Sequence, residues 1–440
     1  MARGPLHTLR ADEPRLRLAR PGPGHRDRAR REPRYGRRLR LARQAAHDRE
    51  HHKNAHGEGE EAHTDAARQA ALPLTPRRGG AGRGGPLDFG FLNARVRARR
   101  ARLLGGSVLD ALVEAPGLDA LIALLGGSPY GPHLASAMAR YGDPSEALDA
   151  ALRAMLSDDL AVLDRDAPAG ARPCIGALLS FREAANLKTI ARVLVKGGER
   201  AAAARLLVPA GSLDDRALRR LLGAGDLDDM AALLSSWGSP YARPFRAGLE
   251  AFARTGSLFD LERELDAFVL SRARAATARA AGALEEARAT VEYLIDKTNI
   301  MTLVKLCGET RGRELAVSLF VEGGKRLLRG DYEELAAETR RDRLLDGLAS
   351  RVSDRHMRAV LDTAYGEEAI FLEERLDALL AWRLDRASVV DPLGIAVPYA
   401  YMYARTRELK NLRLIARAKI FAMPARQLRR ALGVADWRAV

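Results

Sequence analysis

Along residues 87–440 apolar side chains recur at intervals of three, four and seven, the spacing that lines one face of an α-helix. Period-two alternation is hard to find there, Val, Ile and Thr are sparse, and the helix formers Ala, Leu, Arg and Glu dominate. The pattern predicts a first helix over Phe91–Leu104, in which Val96, Leu103 and Leu104 keep the apolar spacing and five Arg cover the rest. Short amphipathic pieces follow at Ser107–Glu114, Leu118–Leu125 and His133–Tyr141, punctuated by Gly and Pro. Asp143-Pro144-Ser145-Glu146 opens a longer helix, with Asp143 as N-cap, Pro144 in the first turn and Glu146 at the capping-box position. Ala147, Leu148, Ala151, Leu152, Met155 and Leu156 form its apolar face. Further helices are expected at Asp214–Leu222, Asp228–Trp237, Pro244–Arg254, Leu258–Arg272, Ala283–Leu294 and Arg313–Phe320. The remainder are expected at Tyr332–Thr339, Ser353–Tyr365, Glu367–Leu384, Leu393–Arg405, Lys410–Phe421 and Pro424–Leu432. The expected fold class is all-α.

Three stretches of this helical text resemble one another. They are Arg182-Glu183-Ala184-Ala185-Asn186-Leu187-Lys188, Ile295-Asp296-Lys297-Thr298-Asn299-Ile300-Met301 and Arg407-Glu408-Leu409-Lys410-Asn411-Leu412-Arg413. Each has an acid three residues before an Asn, an aliphatic residue after it, and a basic residue six after it, at Arg192, Lys305 and Arg417. The Asn positions are 113 and 112 residues apart. Helical solenoids repeat every ~34 to ~47 residues, so this period fits a domain-sized unit used three times. It divides the chain into lobes at 88–205, 206–315 and 316–440.

Within the motif, Glu183, Asp296 and Glu408 are placed to accept N–H groups at a helix start, an interaction worth ~0.5–2 kcal/mol. Asn186, Asn299 and Asn411 read as bends joining two helices of a hairpin, because Asn is poor in a helix interior. The aliphatic pairs Leu187/Ile190, Ile300/Leu303 and Leu412/Ile415 pack the second helix inward. Two roles stay open for the motif: a junction internal to each lobe, or a polar face that touches a partner.

Composition changes the picture mainly at the N-terminus. Residues 1–86 hold 20 Lys and Arg against 10 Asp and Glu, while the remaining residues hold 52 against 47. Most of the formal net charge of +15 therefore belongs to a segment rich in Arg, Pro, Gly and His, with Tyr35 its only aromatic. Such a segment buries too little apolar surface to offset chain entropy and is expected to be disordered. It reads either as a basic arm for nucleic acid or anionic lipid, or as upstream sequence translated from a mis-assigned start.

Two cysteines, Cys174 and Cys307, are too few for a disulfide framework or a metal site and are expected as buried free thiols in a reducing compartment. No stretch reaches the ~20 apolar residues that span a bilayer, and no signal-peptide core is present. There is no G-x-x-x-x-G-K-[ST] loop, and the two His of the body, His133 and His356, stand alone. Gly105-Gly106 and Gly323-Gly324 read as helix stops. No catalytic, cofactor-binding or metal-binding residue is assigned.

Residues with this order also resemble a known family, the C subunits of the archaeal and bacterial V-type (A-type) rotary ATPases, counterparts of the eukaryotic d subunit. Phe91-Leu92-Asn93-Ala94-Arg95-Val96-Arg97 is similar to its opening Tyr-x-Asn-Ala-Arg-Val-Arg pattern, with Phe for Tyr. Ser128-Pro129-Tyr130-Gly131 resembles its Thr-x-Tyr-Gly element, and Glu183–Lys188 its acid-x-x-Asn-Leu-Lys element. Asp391-Pro392-Leu393-Gly394, Ala400-Tyr401, Glu408, Asn411–Arg417 and Met423-Pro424 follow the family in order. The likeness runs from about Leu87 to Gly433; the middle motif departs from it, with Ile295 and Met301 where the other copies have basic residues.

The resemblance implies a non-catalytic component of a rotary ATPase, without cofactors. It implies three similar lobes in a pseudo-threefold funnel on the cytoplasmic face of a membrane, one copy per complex. Its implied partners are the D and F subunits of the central shaft and the membrane proteolipid ring, with torque passing between them. Two rival readings remain. A helical nucleic-acid-binding protein would use the basic arm and the Arg-rich helix, with affinity falling steeply with salt. A helical hydrolase or transferase would need a nucleophile–base or metal set that the sequence does not offer.

Overall fold

The computed structural model describes residues 87–433. The basic segment 1–86 and its readings lie outside the described residues. Nineteen α-helices and no β-strand occur among those described.

Helix α1 (Gly90–Arg100) precedes three short helices, α2 (Gly106–Glu114), α3 (Leu118–Gly126) and α4 (Gly131–Met138), and then two long ones, α5 (Pro144–Asp166) and α6 (Arg172–Lys196). The order recurs. Helices α7 (Arg200–Leu206), α8 (Asp215–Leu222), α9 (Leu227–Ser236) and α10 (Ala242–Thr255) lead to long α11 (Leu258–Thr277) and α12 (Glu285–Leu306). Helices α13 (Gly312–Ser318), α14 (Arg329–Leu335), α15 (Arg341–Arg351) and α16 (Arg355–Asp362) lead to long α17 (Ala369–Val390) and α18 (Ala396–Ile420). Helix α19 (Ala425–Gly433) ends the described chain.

The cap at Asp143 acts as read, while the Glu146 carboxylate, expected at the capping-box position, binds Arg205 at 2.6 Å. The Asp143 carboxylate accepts from the Glu146 N–H at 2.9 Å, with Pro144 in the first turn of α5. Asp214, Asp226 and Asp354 cap α8, α9 and α16 in the same way. Burial along α5 follows the expected stripe through Leu163, but it includes Asp159, a carboxylate inside an apolar face that needs a counter-charge.

The six long helices pack in a closed order. Within each pair α5 meets α6, α11 meets α12 and α17 meets α18. Between pairs α6 meets α11, α12 meets α17, and α18 returns to α5. Apolar residues fill these seams: Ala177 of α6, Leu270 and Ala273 of α11, and Val291 and Ile295 of α12 form one cluster. Ion pairs lie along their edges. Arg192 meets Glu262 at 2.6 Å and Lys188 meets Asp266 at 2.7 Å between α6 and α11. Lys305 meets Glu373 at 2.7 Å between α12 and α17, and Arg413 meets Asp149 at 3.3 Å between α18 and α5.

Several sequence expectations change, beginning with α1, which stops at Arg100 and leaves Leu103 and Leu104 outside the helix. The breaks placed at the motifs do not exist: α12 runs unbroken from Glu285 to Leu306, and the two helices expected over Leu393–Phe421 are one. Helices α6, α7 and α15 are absent from the expected set; α15 forms despite its opening charges because Leu344, Leu345, Leu348 and Ala349 bury one face. A Cβ on its Gly347 would stand 2.4 Å from Leu335 Cδ2, so this glycine admits a neighbour. Cys174 is buried as expected, but Cys307 is half-buried, its thiol 3.5 Å from the Glu338 carbonyl.

Candidate functional site

The repeated acid and Asn lie in the middle of α6, α12 and α18, not at helix junctions or caps. Good helix formers surround each motif, and the cost of an interior Asn is offset by what its amide holds. Asn186 Nδ2 donates to the Val208 carbonyl at 2.6 Å, and its Oδ1 accepts from the Val208 N–H at 3.0 Å. Asn299 does the same with Val321, at 2.9 Å in both directions. Each amide thus takes the place of a β-ladder partner for a loop residue 22 positions downstream.

The acid one turn earlier holds the rest of that loop. Glu183 Oε1 accepts from Ser212 N at 2.5 Å and Ser212 Oγ at 2.6 Å, while Oε2 accepts from the Tyr241 hydroxyl at 2.7 Å. Asp296, shorter by one methylene, draws its loop closer and accepts from the N–H groups of Lys325, Arg326 and Leu327 at 3.1–3.3 Å. Glycines make the approach possible. A Cβ on Gly211, whose φ is +54°, would lie 2.6 Å from Glu183 Oε1, and one on Gly324 would lie 2.1 Å from Asp296 Oδ1. The pair Gly323-Gly324, read as a helix stop, is part of this clamp. So is Arg326, whose guanidinium joins Asp296 at 3.1 Å and Asp354 at 3.2 Å; Arg383 also reaches Asp354.

The third copy is wired differently. Glu408 Oε2 accepts from the Leu104 N–H at 2.5 Å, across 304 residues of sequence. Its Oε1 accepts from the Tyr130 hydroxyl at 2.6 Å and from the Arg405 guanidinium. Arg405 is 1% exposed, and its Nε donates to Asp159 Oδ2 at 2.9 Å. It also reaches the hydroxyls of Tyr130 at 2.8 Å and Tyr401 at 3.3 Å, while Arg99 takes the other Asp159 oxygen at 3.2 Å. Burial disfavours the Arg405 charge, but Tyr130, Tyr401 and Asp159 outweigh it, and the pKa moves up. Burial first, and then Glu408, push the Tyr130 phenol up, so it remains a protonated donor at neutral pH. Asn411 has no hydrogen-bond partner among the described residues and is half-buried.

Arg405, Asp159 and Tyr241 were not legible as partners of the motif. One signal was available: Ser-Pro-Tyr occurs at both 128–130 and 239–241, and each Tyr binds the acid of a clamp. The motif's basic residues Arg192 and Lys305 hold neighbouring helices of this chain together, and Met301, which replaces a basic residue, is buried. No three His, Cys, Asp or Glu among the described residues gather as a metal site.

The sequence matches the family ATP synthase (C/AC39) subunit over residues 92–431, a span that contains all three motifs and the Arg405 cluster. The chain belongs to this family. The C subunit of a V-type ATP synthase from Thermus thermophilus is 30% identical over 353 residues, 78% of this chain and 97% of that protein. Its namesake from Deinococcus radiodurans is 29% identical over 352 residues, 78% of this chain and 91% of that protein. The C subunit of an A-type ATP synthase from Methanocaldococcus jannaschii is 23% identical over 346 residues, 78% of this chain and 86% of that protein. The chain is thus a rotary ATP synthase component of the C/AC39 family, and no helix among its described residues is long and apolar enough to cross a membrane.

Proposed function

We propose that this protein is the non-catalytic coupling piece of the rotor, seated between the D and F shaft and the membrane proteolipid ring on the cytoplasmic face. In this reading the lobes 88–205, 206–315 and 316–440 surround the rotation axis as a pseudo-threefold funnel. One copy turns with both partners and carries torque between them. The observation that carries the reading is the closed packing order of the six long helices, in which α18 returns to α5.

A part that passes torque must not yield at a free edge, and a closed order of helices leaves no pair with an unpacked side. The clamps support the same role. Each ties a mid-helix position to a loop of the next element group, so twist applied to one long helix is resisted by hydrogen bonds across the seam. Their carboxylates are engaged inside the chain, which favours a mechanical role for the motif over direct partner contact.

Co-purification and coupling test the proposal together. A tagged chain expressed in its own host should bring down the D and F proteins and the proteolipid ring from solubilised membranes. Its deletion should leave ATP hydrolysis uncoupled from ion movement. Full coupling in the deletion strain refutes the proposal.

A further inference from the structure

A cavity of about 470 Å³ opens between α4 and α5 on one side and α7 and α8 on the other. That volume is in the range of small-molecule sites. The mechanical role proposed above makes no use of it.

Its charge is lopsided. Four guanidiniums line it, those of Arg140, Arg153, Arg205 and Arg219, against one lining carboxylate, Asp215. That carboxylate is shared, because Arg153 reaches it from α5 and Arg219 from the next turn of α8. Arg153 also donates from Nε to the Leu207 carbonyl at 2.5 Å, which fixes its direction. Arg205 is answered by Glu146 at 2.6 Å, and His133, also in the wall, by Asp158 at 3.5 Å. Arg140 is exposed and pairs with no carboxylate among the described residues. Asp215 and Glu146 together leave two guanidinium charges of the lining unbalanced. Guanidiniums bind phosphate oxygens through paired N–H groups, and a recess with two such charges in excess favours an anion carrying at least two negative charges.

We propose that this cavity binds a polyphosphate anion, either the diphosphate of a nucleotide or free pyrophosphate. Arg140 and Arg219, its exposed guanidiniums, take the phosphate oxygens, and Arg153, held in place by Leu207, stands behind them. Asp215 competes with the ligand for two of these three groups. Occupation adds a link between α5 and α8 to the one that Asp215 makes. The site is independent of the rotor reading, since its ligand is a small molecule and its residues belong to this chain alone.

Titration calorimetry on the full-length chain with pyrophosphate, ADP and adenosine tests the proposal. Pyrophosphate and ADP should bind saturably and adenosine should not. Tighter binding of ADP assigns the site to nucleotides, and equal binding assigns it to pyrophosphate. Arg140→Glu and Arg219→Glu, both surface changes, should each weaken binding at least about tenfold, the loss of one charge-assisted hydrogen bond. Asp215→Asn, which removes the competing carboxylate, should strengthen it. Arg243→Glu, an exposed charge on α10 away from the cavity, should change nothing. Absence of saturable binding overturns the proposal, as does binding that survives the Arg140→Glu/Arg219→Glu double variant, which would place the anion elsewhere on this basic chain. Adenosine binding as well as ADP, or weaker binding by Asp215→Asn, overturns it too.

Discussion

The first and third clamps use the same acid at the same place in a long helix for different tasks. At the first, Glu183 and Asn186 grip a loop that the chain itself delivers 22 to 29 residues later, with two amide hydrogen bonds, a serine and a tyrosine. At the third, Glu408 must hold a loop from 304 residues away, and there a buried guanidinium and a second carboxylate, Arg405 and Asp159, join it. For a flexible chain, closing a 304-residue loop rather than a 29-residue one costs about 2 kcal/mol more. The difference teaches that one motif can serve both as an internal fastener and as the closure between chain ends, provided the closure is reinforced.

Arg405→Ala tests that contrast hardest. It leaves Glu408 buried without its guanidinium and Asp159 held by Arg99 alone, and should cost about 3–5 kcal/mol in denaturant unfolding. Glu183→Gln at the first clamp, which keeps the shape and most hydrogen bonds, should cost less. Equal losses would erase the distinction between the clamps. Asn186→Ala and Asn299→Ala come next, about 1–3 kcal/mol each, because each strands the N–H and C=O of one loop valine. A cost at Asn299 far below that at Asn186 would show that the Arg326 links carry the middle clamp instead.

The smallest effect concerns acid. Burial works against the Asp354 charge, but the Met357 N–H, Arg383 and Arg326 outweigh it and hold the carboxyl below its ordinary range. A folded pKa below the unfolded one gives stability that is full above the unfolded value of about 4 and is lost as pH falls through the folded value. Wild type should therefore lose more stability than Asp354→Asn in that acid window, read as the difference between their pH–melting curves. Parallel curves would remove Asp354 from the account of the middle clamp.

Much of this architecture is legible in local spacing alone. The cap at Asp143 and the apolar stripe of α5 are local, so periodicity and side-chain chemistry locate them. The family patterns at Phe91–Arg97 and Asp391–Arg417 lie within or at the edge of the matched span. The role of the motif is misread from sequence for an identifiable reason. Asn inside a helix is unfavourable by local rules, which turns unbroken α12 and α18 into broken pairs. The compensating bonds come from residues outside the local window, where propensity carries no information.

The sequence by itself determined the all-α class, the near-equal spacing of three acid–Asn motifs and the family. Those depend on short-range spacing and on residue identity. Only the tertiary structure decided what the motifs hold. Val208 and Ser212, Val321 and the Lys325–Leu327 amides, and Leu104 with Arg405 become partners because helices packed side by side bring distant backbone within 3.3 Å of a carboxylate or amide. Once buried there, a polar group must find a partner or destabilise the fold, and that requirement, rather than any local preference, fixes an acid in the middle of each of three helices and an Asn beside it in the first two.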